Sequence, residues 1–84
     1  MTILYADEFR KRFEELPPEI QRLYRVQELR FKKNWRDPRL HTKKLREHPF
    51  SFSFRITRRY RVLFAFVEID TALFATIGHR KNIY

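Results

Sequence analysis

Residues 50–57 alternate strictly between apolar and polar side chains and read F-S-F-S-F-R-I-T. Because successive side chains of a β-strand point to opposite faces of a sheet, this alternation predicts a strand with one buried face and one polar face, with Arg55 on the polar face. Residues 60–67, Y-R-V-L-F-A-F-V, are apolar on both faces except at Arg61, as expected of a central strand. Residues 73–79, L-F-A-T-I-G-H, predict a third long strand, so the three segments should form an antiparallel meander.

Residues 1–36 follow the spacing of helices instead. Apolar residues recur at i, i+4 and i+7 from Phe9, which predicts a short helix with Asp7 as its N-cap, and the Pro-Pro pair that follows should end it. A second helix is predicted from about Pro18 to about Arg36. Its buried face should consist of Ile20, Leu23, Tyr24, Gln27, Phe31 and Trp35.

Together these segments predict an α+β fold. A short N-terminal strand over residues 3–5 and a helical hairpin should pack on one face of a small antiparallel sheet. With 84 residues the chain should form a single domain, over residues 1–84, with one modest core. Val26 and Leu29 point away from the buried face of the second helix, and such residues are either isolated apolar side chains on the surface or part of a site that a partner covers.

Composition narrows the possible functions. The chain has no cysteine, which excludes disulfides and thiolate nucleophiles, and its three histidines lack the spacing of a metal site, so we expect no metal and no cofactor. Without an apolar run of transmembrane length or a signal peptide, a cytoplasmic location without membrane contact is expected. Residues 37–84 carry +6 of the net charge of +9, which points to a polyanion such as RNA or DNA, or to an acidic protein.

Several groups suited to chemistry on a phosphate should meet at one side of the sheet. If the helices cover one face, Arg61 projects from the other, and the end of the last strand should bring His79 and Arg80 to its edge, beside the basic residues of the segment 41–48. Metal-free cleavage of RNA needs a group that removes the 2′-hydroxyl proton, cations that stabilise the phosphorane, and an acid for the departing 5′-oxygen. His79, the two arginines and Tyr84 can fill these roles, although a histidine at a strand end is also often merely exposed and a terminal tyrosine often packs on a sheet.

Three stretches of the second half are similar to the RelE/ParE superfamily of type II toxin components. They are K-K-L-R-E at residues 43–47, F-S-F-R-I-T-R-R-Y-R-V-L-F at residues 52–64 and I-G-H-R-K-N-I-Y at residues 77–84. The resemblance implies a toxin that a co-expressed antitoxin holds inactive. For the RelE-like branch it implies an endoribonuclease that cuts mRNA in the ribosomal A site, and for the ParE-like branch a poison of DNA gyrase.

The resemblance also implies roles for single residues. Arg61 would stabilise the phosphate, His79 and Arg80 would provide the imidazole or basic group at the end of the last strand, and Tyr84 would stack on a base or assist proton transfer. Contacts to the RNA backbone are expected from the other basic residues of the second half, which are Lys43, Lys44, Arg46, Arg55, Arg58, Arg59 and Lys81.

We therefore predict the toxin component of a type II toxin–antitoxin system, acting as a metal-independent endoribonuclease on ribosome-bound mRNA and forming a hetero-oligomer with its antitoxin. The ribosome dependence follows from the resemblance alone. Imidazole, guanidinium and phenol around one concavity favour the nuclease over a gyrase inhibitor, which needs none of them. A non-enzymatic RNA-binding domain, which would bind RNA in a salt-sensitive manner without cleaving it, is the remaining alternative. Val26 and Leu29 are the predicted landing site of the antitoxin.

Overall fold

The computed structural model describes residues 1–46 and 51–83. Phe50, the first residue of the predicted alternation, and Tyr84 lie outside the described residues. The elements follow in the order β1 (Thr2–Tyr5), α1 (Asp7–Glu14), α2 (Pro18–Lys33), a 3-10 turn (Pro38–Leu40), β2 (Lys43–Lys44), β3 (Phe52–Arg55), β4 (Tyr60–Glu68), β5 (Thr71–His79) and α3 (Arg80–Ile83). The α+β class predicted from the sequence is confirmed.

The five strands form one sheet in the order β1-β5-β4-β3-β2. β3, β4 and β5 form the predicted antiparallel meander, and β2 pairs with the outer edge of β3. β1 joins the opposite edge and runs parallel to β5, so the sheet is mixed and not purely antiparallel. This parallel pairing is possible because the connection between the two strands is long and includes both helices, whereas a short hairpin always gives antiparallel neighbours.

A β-bulge in β5 shifts the side chains of its second half. Leu63 of β4 pairs with Thr76, but the next residue of β4, Phe64, pairs with Phe74, so Ala75 has no residue opposite it. A bulge inserts one extra residue on one strand and so changes which face the following side chains occupy. Both Phe74 and Ile77 consequently lie in the core, although they are an odd number of positions apart in the strand.

The start of α1 differs from the prediction in one residue. The N-cap is Ala6 and makes no side-chain capping hydrogen bond, while Asp7 is the first helical residue. Ala6 is fixed from the strand side, because its backbone N–H donates to the carbonyl oxygen of Phe74 at 3.0 Å. Asp7 and Glu8 therefore occupy the first turn, where carboxylates interact favourably with the positive end of the helix dipole.

α2 begins at Pro18 as predicted but ends at Lys33, about three residues earlier than expected. Asn34 leaves the helical conformation, and its side-chain oxygen accepts a hydrogen bond from the Arg36 backbone N–H at 3.0 Å. Such local hydrogen bonds compete with helix continuation. Trp35 nevertheless packs on the sheet, with its ring centroid 4.9 Å from that of Phe66.

Phenylalanine rings join both helices to one face of the sheet. The ring centroid of Phe31, on α2, lies 5.4 Å from that of Phe54 and 5.0 Å from those of Phe64 and Phe74, and all four side chains are fully buried. Phe9 brings α1 to the same cluster, 5.8 Å from Phe74. The helices therefore cover the face that the sequence predicts, and the other face is left for α3 and the basic side chains.

α3 folds back against the end of β5. The single glycine of the chain, Gly78, lies where the two elements meet, and a Cβ atom added to it would lie only 2.8 Å from Cγ2 of Ile83. The Arg80 backbone N–H also donates to the carbonyl oxygen of Arg59 at 2.7 Å, which ties the start of α3 to the β3–β4 turn. Among the described helices, none is long and apolar enough to cross a membrane.

Candidate functional site

A cavity of about 690 Å³ opens on the side of the sheet away from α1 and α2. Cationic side chains dominate its walls. We call it the basic cavity, and its lining residues are His41, Lys43, Lys44, Leu45, Arg46, Arg55, Arg61, Arg80 and Lys81. No carboxylate is among these described lining residues, so the cavity is suited to a polyanionic ligand.

Strand register explains how distant residues reach the same cavity. Arg55 of β3 lies opposite Arg61 of β4, and Arg61 in turn lies opposite Gly78 of β5. Directly paired residues of antiparallel strands project from the same face, so these three positions form one row across the sheet. On β2, Lys43 lies opposite Ser53 and extends the same face toward the sheet edge. The row ends beside α3, whose first turn contributes Arg80 and Lys81.

Like charges are held close together in this row. Arg55 and Arg61 are direct cross-strand neighbours, so both side chains project from the same face of the sheet. The Arg61 guanidinium is oriented by the β3–β4 turn, because its Nη2 donates to the carbonyl oxygen of Arg58 at 3.2 Å. Within residues 1–46 and 51–83, no salt bridge involves Lys43, Arg55 or Arg80. An anionic ligand would supply a counter-charge to these three side chains.

Most of the predicted site residues come together here. Lys43, Lys44, Arg46, Arg55, Arg61, Arg80 and Lys81 all line the basic cavity. Arg58 lines a neighbouring cavity of about 320 Å³, which also contacts Arg55. Arg59 is exposed in the β3–β4 turn and lines neither of these two cavities. Tyr84 lies outside the described residues, so its role stays a prediction.

His79 is placed on the opposite face of the sheet. It lies opposite Tyr60, with the two ring centroids 5.5 Å apart, and its Nδ1 accepts a hydrogen bond from the Lys81 backbone N–H at 3.2 Å. It lines a cleft of about 180 Å³ together with Arg12 of α1, and not the basic cavity. Its catalytic role therefore stays a prediction that the geometry does not support.

Val26 and Leu29 are exposed on α2, with 41% and 64% of their surfaces accessible. They do not share one surface. Val26 lines the 320 Å³ cavity beside Arg58, whereas Leu29 lines a third cavity of about 550 Å³ between α1 and α2, with Tyr5, Phe9, Phe13 and Tyr24 among its walls. Burial and hydrogen bonding to Glu28 raise the pKa of Tyr5 to about 12 and raise that of Tyr24 as well.

One residue with suitable chemistry was not assigned a role from the sequence. His41 lines the basic cavity and is the only residue with a positive φ among the described non-glycine residues, at φ 48° and ψ 47°. It directly follows the 3-10 turn. The signal for this turn was present in the sequence, since Asp37-Pro38 is a typical turn start and Asp37 accepts hydrogen bonds from the Arg39 backbone and side chain. These bonds lower the pKa of Asp37 to about 2.

Metal ligation has no evident basis in this site. Within the two described ranges, no three His, Cys, Asp or Glu side chains are grouped so that they could hold a metal ion.

Solved toxin structures share this fold. No protein-family model and no curated protein matches the sequence. A chain of the RelB–RelE antitoxin–toxin complex from Methanococcus jannaschii is 25% identical, with a TM-score of 0.77 over 96% of this chain and 94% of that one. The toxin–antitoxin complex RelBE2 from Mycobacterium tuberculosis contains a chain that is 29% identical, with a TM-score of 0.64 over 94% of this chain and 96% of that one. The YoeB/ParE toxin from Agrobacterium tumefaciens is 10% identical, with a TM-score of 0.78 over 95% and 99%, which is a likeness of fold.

Proposed function

The chain belongs to the RelE/ParE superfamily of toxins, and on this premise we propose that it is the toxin of a type II toxin–antitoxin pair and cleaves messenger RNA on the ribosome. We place its action in the cytoplasm, with a cognate antitoxin as protein partner. The proposal treats residues 1–84 as one catalytic domain that needs no metal ion.

The observation that carries the proposal is the basic cavity. Seven cationic side chains line a volume of about 690 Å³, on a face that the helices leave open. RNA binding is dominated by contacts between such cations and phosphate groups, so this surface fits a single-stranded RNA backbone.

Arg61 and Arg80 are the proposed phosphate-stabilising residues. In metal-free RNA cleavage the 2′-oxygen attacks the neighbouring phosphorus, its proton leaves, and the bond from phosphorus to the 5′-oxygen breaks. Negative charge develops on the phosphorane oxygens during this step, and guanidinium groups that are already in place stabilise it. Arg61 is held by its hydrogen bond to the Arg58 carbonyl oxygen, and Arg80 by the tie between its backbone and Arg59.

The remaining cations would position the substrate. Lys43 and Lys44 on β2 and Arg55 on β3 line the wall of the cavity away from α3, where they would contact neighbouring phosphates of the RNA chain. Arg58 would extend this contact toward the neighbouring cavity. His79 and Tyr84 remain proposed members of the catalytic set, to be tested by substitution.

The antitoxin would neutralise the basic cavity with acidic residues, because a protein that carries +9 needs compensating charge in a stable complex. Leu29 is the more exposed of the two predicted apolar contacts and borders the aromatic cavity between α1 and α2, where an apolar side chain of the antitoxin would fit. Val26 would contact a different part of the antitoxin.

The test is cleavage of mRNA in a cell-free translation reaction, with new 5′ ends mapped by primer extension. We expect wild-type protein to cut at codon-spaced positions only when ribosomes are present. Arg61→Ala should lower the cutting rate by about 100-fold or more, since removal of one donor to a developing oxyanion has effects of this size. Arg22→Ala is the matched control, because Arg22 is an exposed arginine of α2 outside the basic cavity.

Two results would contradict the proposal. Intact mRNA in a reaction that wild-type protein does not inhibit, together with inhibition of DNA gyrase by the same preparation, would identify a gyrase poison. Salt-sensitive RNA binding without any cleavage would identify a non-enzymatic RNA-binding domain.

A further inference from the structure

We propose that His41 is the general base of the basic cavity, a role that rests on the proposed RNA cleavage and that neither the family resemblance nor the strand pattern assigns. His41 lies between the 3-10 turn and β2. It lines the basic cavity, the adjoining 320 Å³ cavity and a third cleft beside Trp35, so it is located where these three surfaces meet. RNA bound along the cations would pass this point.

The chemistry of the other lining residues leaves His41 as the suitable group. Lysine and arginine have ordinary pKa values of about 10 or above and carry their protons at neutral pH. Imidazole has an ordinary pKa near neutrality and both accepts and releases protons there. Among the described residues that line the basic cavity, His41 is the only one with this property.

The backbone conformation of His41 is a second observation that favours a role for its side chain. It is in the left-handed region, where a helix C-cap normally has glycine or asparagine because a larger side chain is strained. A strained residue that persists at a candidate site is a reason to look for a role of its side chain. Glycine would relieve the strain and leave the cavity without an imidazole.

Hydrogen bonds on both sides keep this conformation in place. The His41 backbone N–H donates to the Pro38 carbonyl oxygen at 3.1 Å, and Thr42 Oγ1 donates to the Trp35 carbonyl oxygen at 2.9 Å. Leu40, immediately before His41, is fully buried. Gln27 of α2 donates from Nε2 to the Arg39 carbonyl oxygen at 3.0 Å. The backbone of His41 is thus held in place before a ligand arrives, which limits where its imidazole can lie.

In the proposed step the neutral imidazole of His41 removes the proton of the 2′-hydroxyl group. The 2′-oxygen then bonds to the neighbouring phosphorus, the bond from phosphorus to the 5′-oxygen breaks, and the 5′-oxygen takes a proton from water. The products are a 2′,3′-cyclic phosphate and a 5′-hydroxyl end, and the imidazolium returns its proton to solvent. No oxidant, reductant or metal ion enters the balance.

Charged groups line all three surfaces that His41 borders. Toward the sheet they are the seven cations of the basic cavity. Toward α2 and the β3–β4 turn they are Arg30, Arg39 and Arg58. Beside Trp35 they are Arg36 and Asp37. Asp37 is the single described carboxylate in this set, and it forms a salt bridge with Arg39. No other described carboxylate of the set competes with a substrate hydroxyl group for the imidazole.

The test uses two substitutions that suit the left-handed backbone, His41→Asn and His41→Gly. We expect both to lower the single-turnover cleavage rate about 100-fold or more, with RNA affinity unchanged and the melting temperature unchanged or raised. The pH–rate profile of wild-type protein should rise through the titration of one group at its acidic side. That rise should be absent in His41→Asn, while the residual rate stays sensitive to Arg61→Ala.

Each other outcome counts against the assignment. Wild-type cleavage rates with an unchanged pH profile in His41→Asn would overturn it and leave the proposed nuclease intact. Loss of cleavage accompanied by a lower melting temperature or weaker RNA binding in both variants would show a structural role and also overturn it. If wild-type protein itself does not cut RNA with ribosomes, the proposed function fails and the role of His41 fails with it.

Discussion

At the scale of single residues, Gly78 sets the position of α3. Its α-hydrogen occupies the place where any other residue would have a Cβ atom 2.8 Å from Ile83 Cγ2. Gly78 also lies opposite Arg61, so the close packing of α3 takes place beside a residue of the basic cavity. The lack of a side chain at Gly78 allows α3 to pack closely against β5. It is not needed for an unusual backbone conformation, because the φ of Gly78 is not positive.

Gly78→Ala should therefore displace α3 and lower the free energy of unfolding by about 1–3 kcal/mol, as overpacking typically does. The RNA cleavage rate should also fall, because Arg80 and Lys81 move with α3. Urea denaturation and the cleavage assay measure the two effects.

The double variant Gly78→Ala/Ile83→Ala provides the control, since Ile83→Ala removes the atom that the new Cβ would meet. The two changes should be non-additive, with the second partly restoring stability in the background of the first. Purely additive losses would mean that the contact between Gly78 and Ile83 does not limit the packing of α3.

At the scale of elements, alternation predicts most of the strands but fails where a strand is irregular. Residues 52–55 and 60–66 keep the period of two, and the faces of their buried and cavity-facing residues were correctly predicted. In β5 the bulge at Ala75 exchanges the faces on which the following side chains lie. Strict alternation from Phe74 would place His79 on the cavity face, but the structure places Gly78 there. A bulge has no consistent signal in one sequence, because it depends on how two strands pair.

The helix ends depend in a similar way on contacts across the fold. Asp7 has the right side chain for an N-cap, but Ala6 takes that position because its N–H is bound to β5. The spacing of apolar residues predicted which face of α2 is buried, since that spacing is a property of the helix alone. The left-handed conformation of His41 could not be predicted from residue type, because it requires the buried Leu40 and the bonds of the surrounding turn.

Gln27 connects three elements and should be important for stability. It is 5% exposed, its Nε2 donates to the carbonyl oxygens of Arg39 and Arg55 at 3.0 and 2.7 Å, and its Oε1 accepts from Arg30 at 2.9 Å. Gln27→Met keeps the length of the side chain but leaves both carbonyl oxygens without this donor. We expect a loss of about 2–3 kcal/mol in the free energy of unfolding, measured in urea.

Gln21→Met is the matched control on the same helix. Gln21 donates to the Phe13 carbonyl oxygen at 2.8 Å, but its side chain is partly exposed, so water can replace the lost bond. We expect a loss below about 1 kcal/mol. Equal losses in the two variants would contradict the importance assigned to the buried position of Gln27.

At the scale of the whole molecule, charge is distributed unevenly around the sheet. α1 and α2 lie on one face and mix five acidic residues with eight lysines and arginines. The opposite face holds the basic cavity, with no carboxylate among its described lining residues. The sequence predicted that cations gather on the open face, because this follows from strand alternation and from where the cations lie in the chain. It could not predict the volume of the cavity, which depends on how far α3 and the segment before β2 lie from the sheet.

RNA affinity should therefore depend steeply on salt, and the dependence should be local to the cavity. The slope of log K against log[salt] should decrease by about 1 in Arg61→Ala, because each phosphate contact contributes about one released counterion. In Arg22→Ala the slope should not change. Fluorescence titrations of a short single-stranded RNA at several salt concentrations measure both, and equal slopes in the three proteins would argue against phosphate binding in the basic cavity.

The parallel pairing of β1 with β5 has a consequence for the order in which the protein can be made. β1 is made before both helices and before β2, β3 and β4, whereas its partner residues, 71–74, are made after them. Until residues 71–74 are made, β1 has no neighbouring strand, and the cations of the basic cavity on α3 are made later still. The surface that would bind RNA therefore cannot form in a partly made copy that lacks β5 and α3.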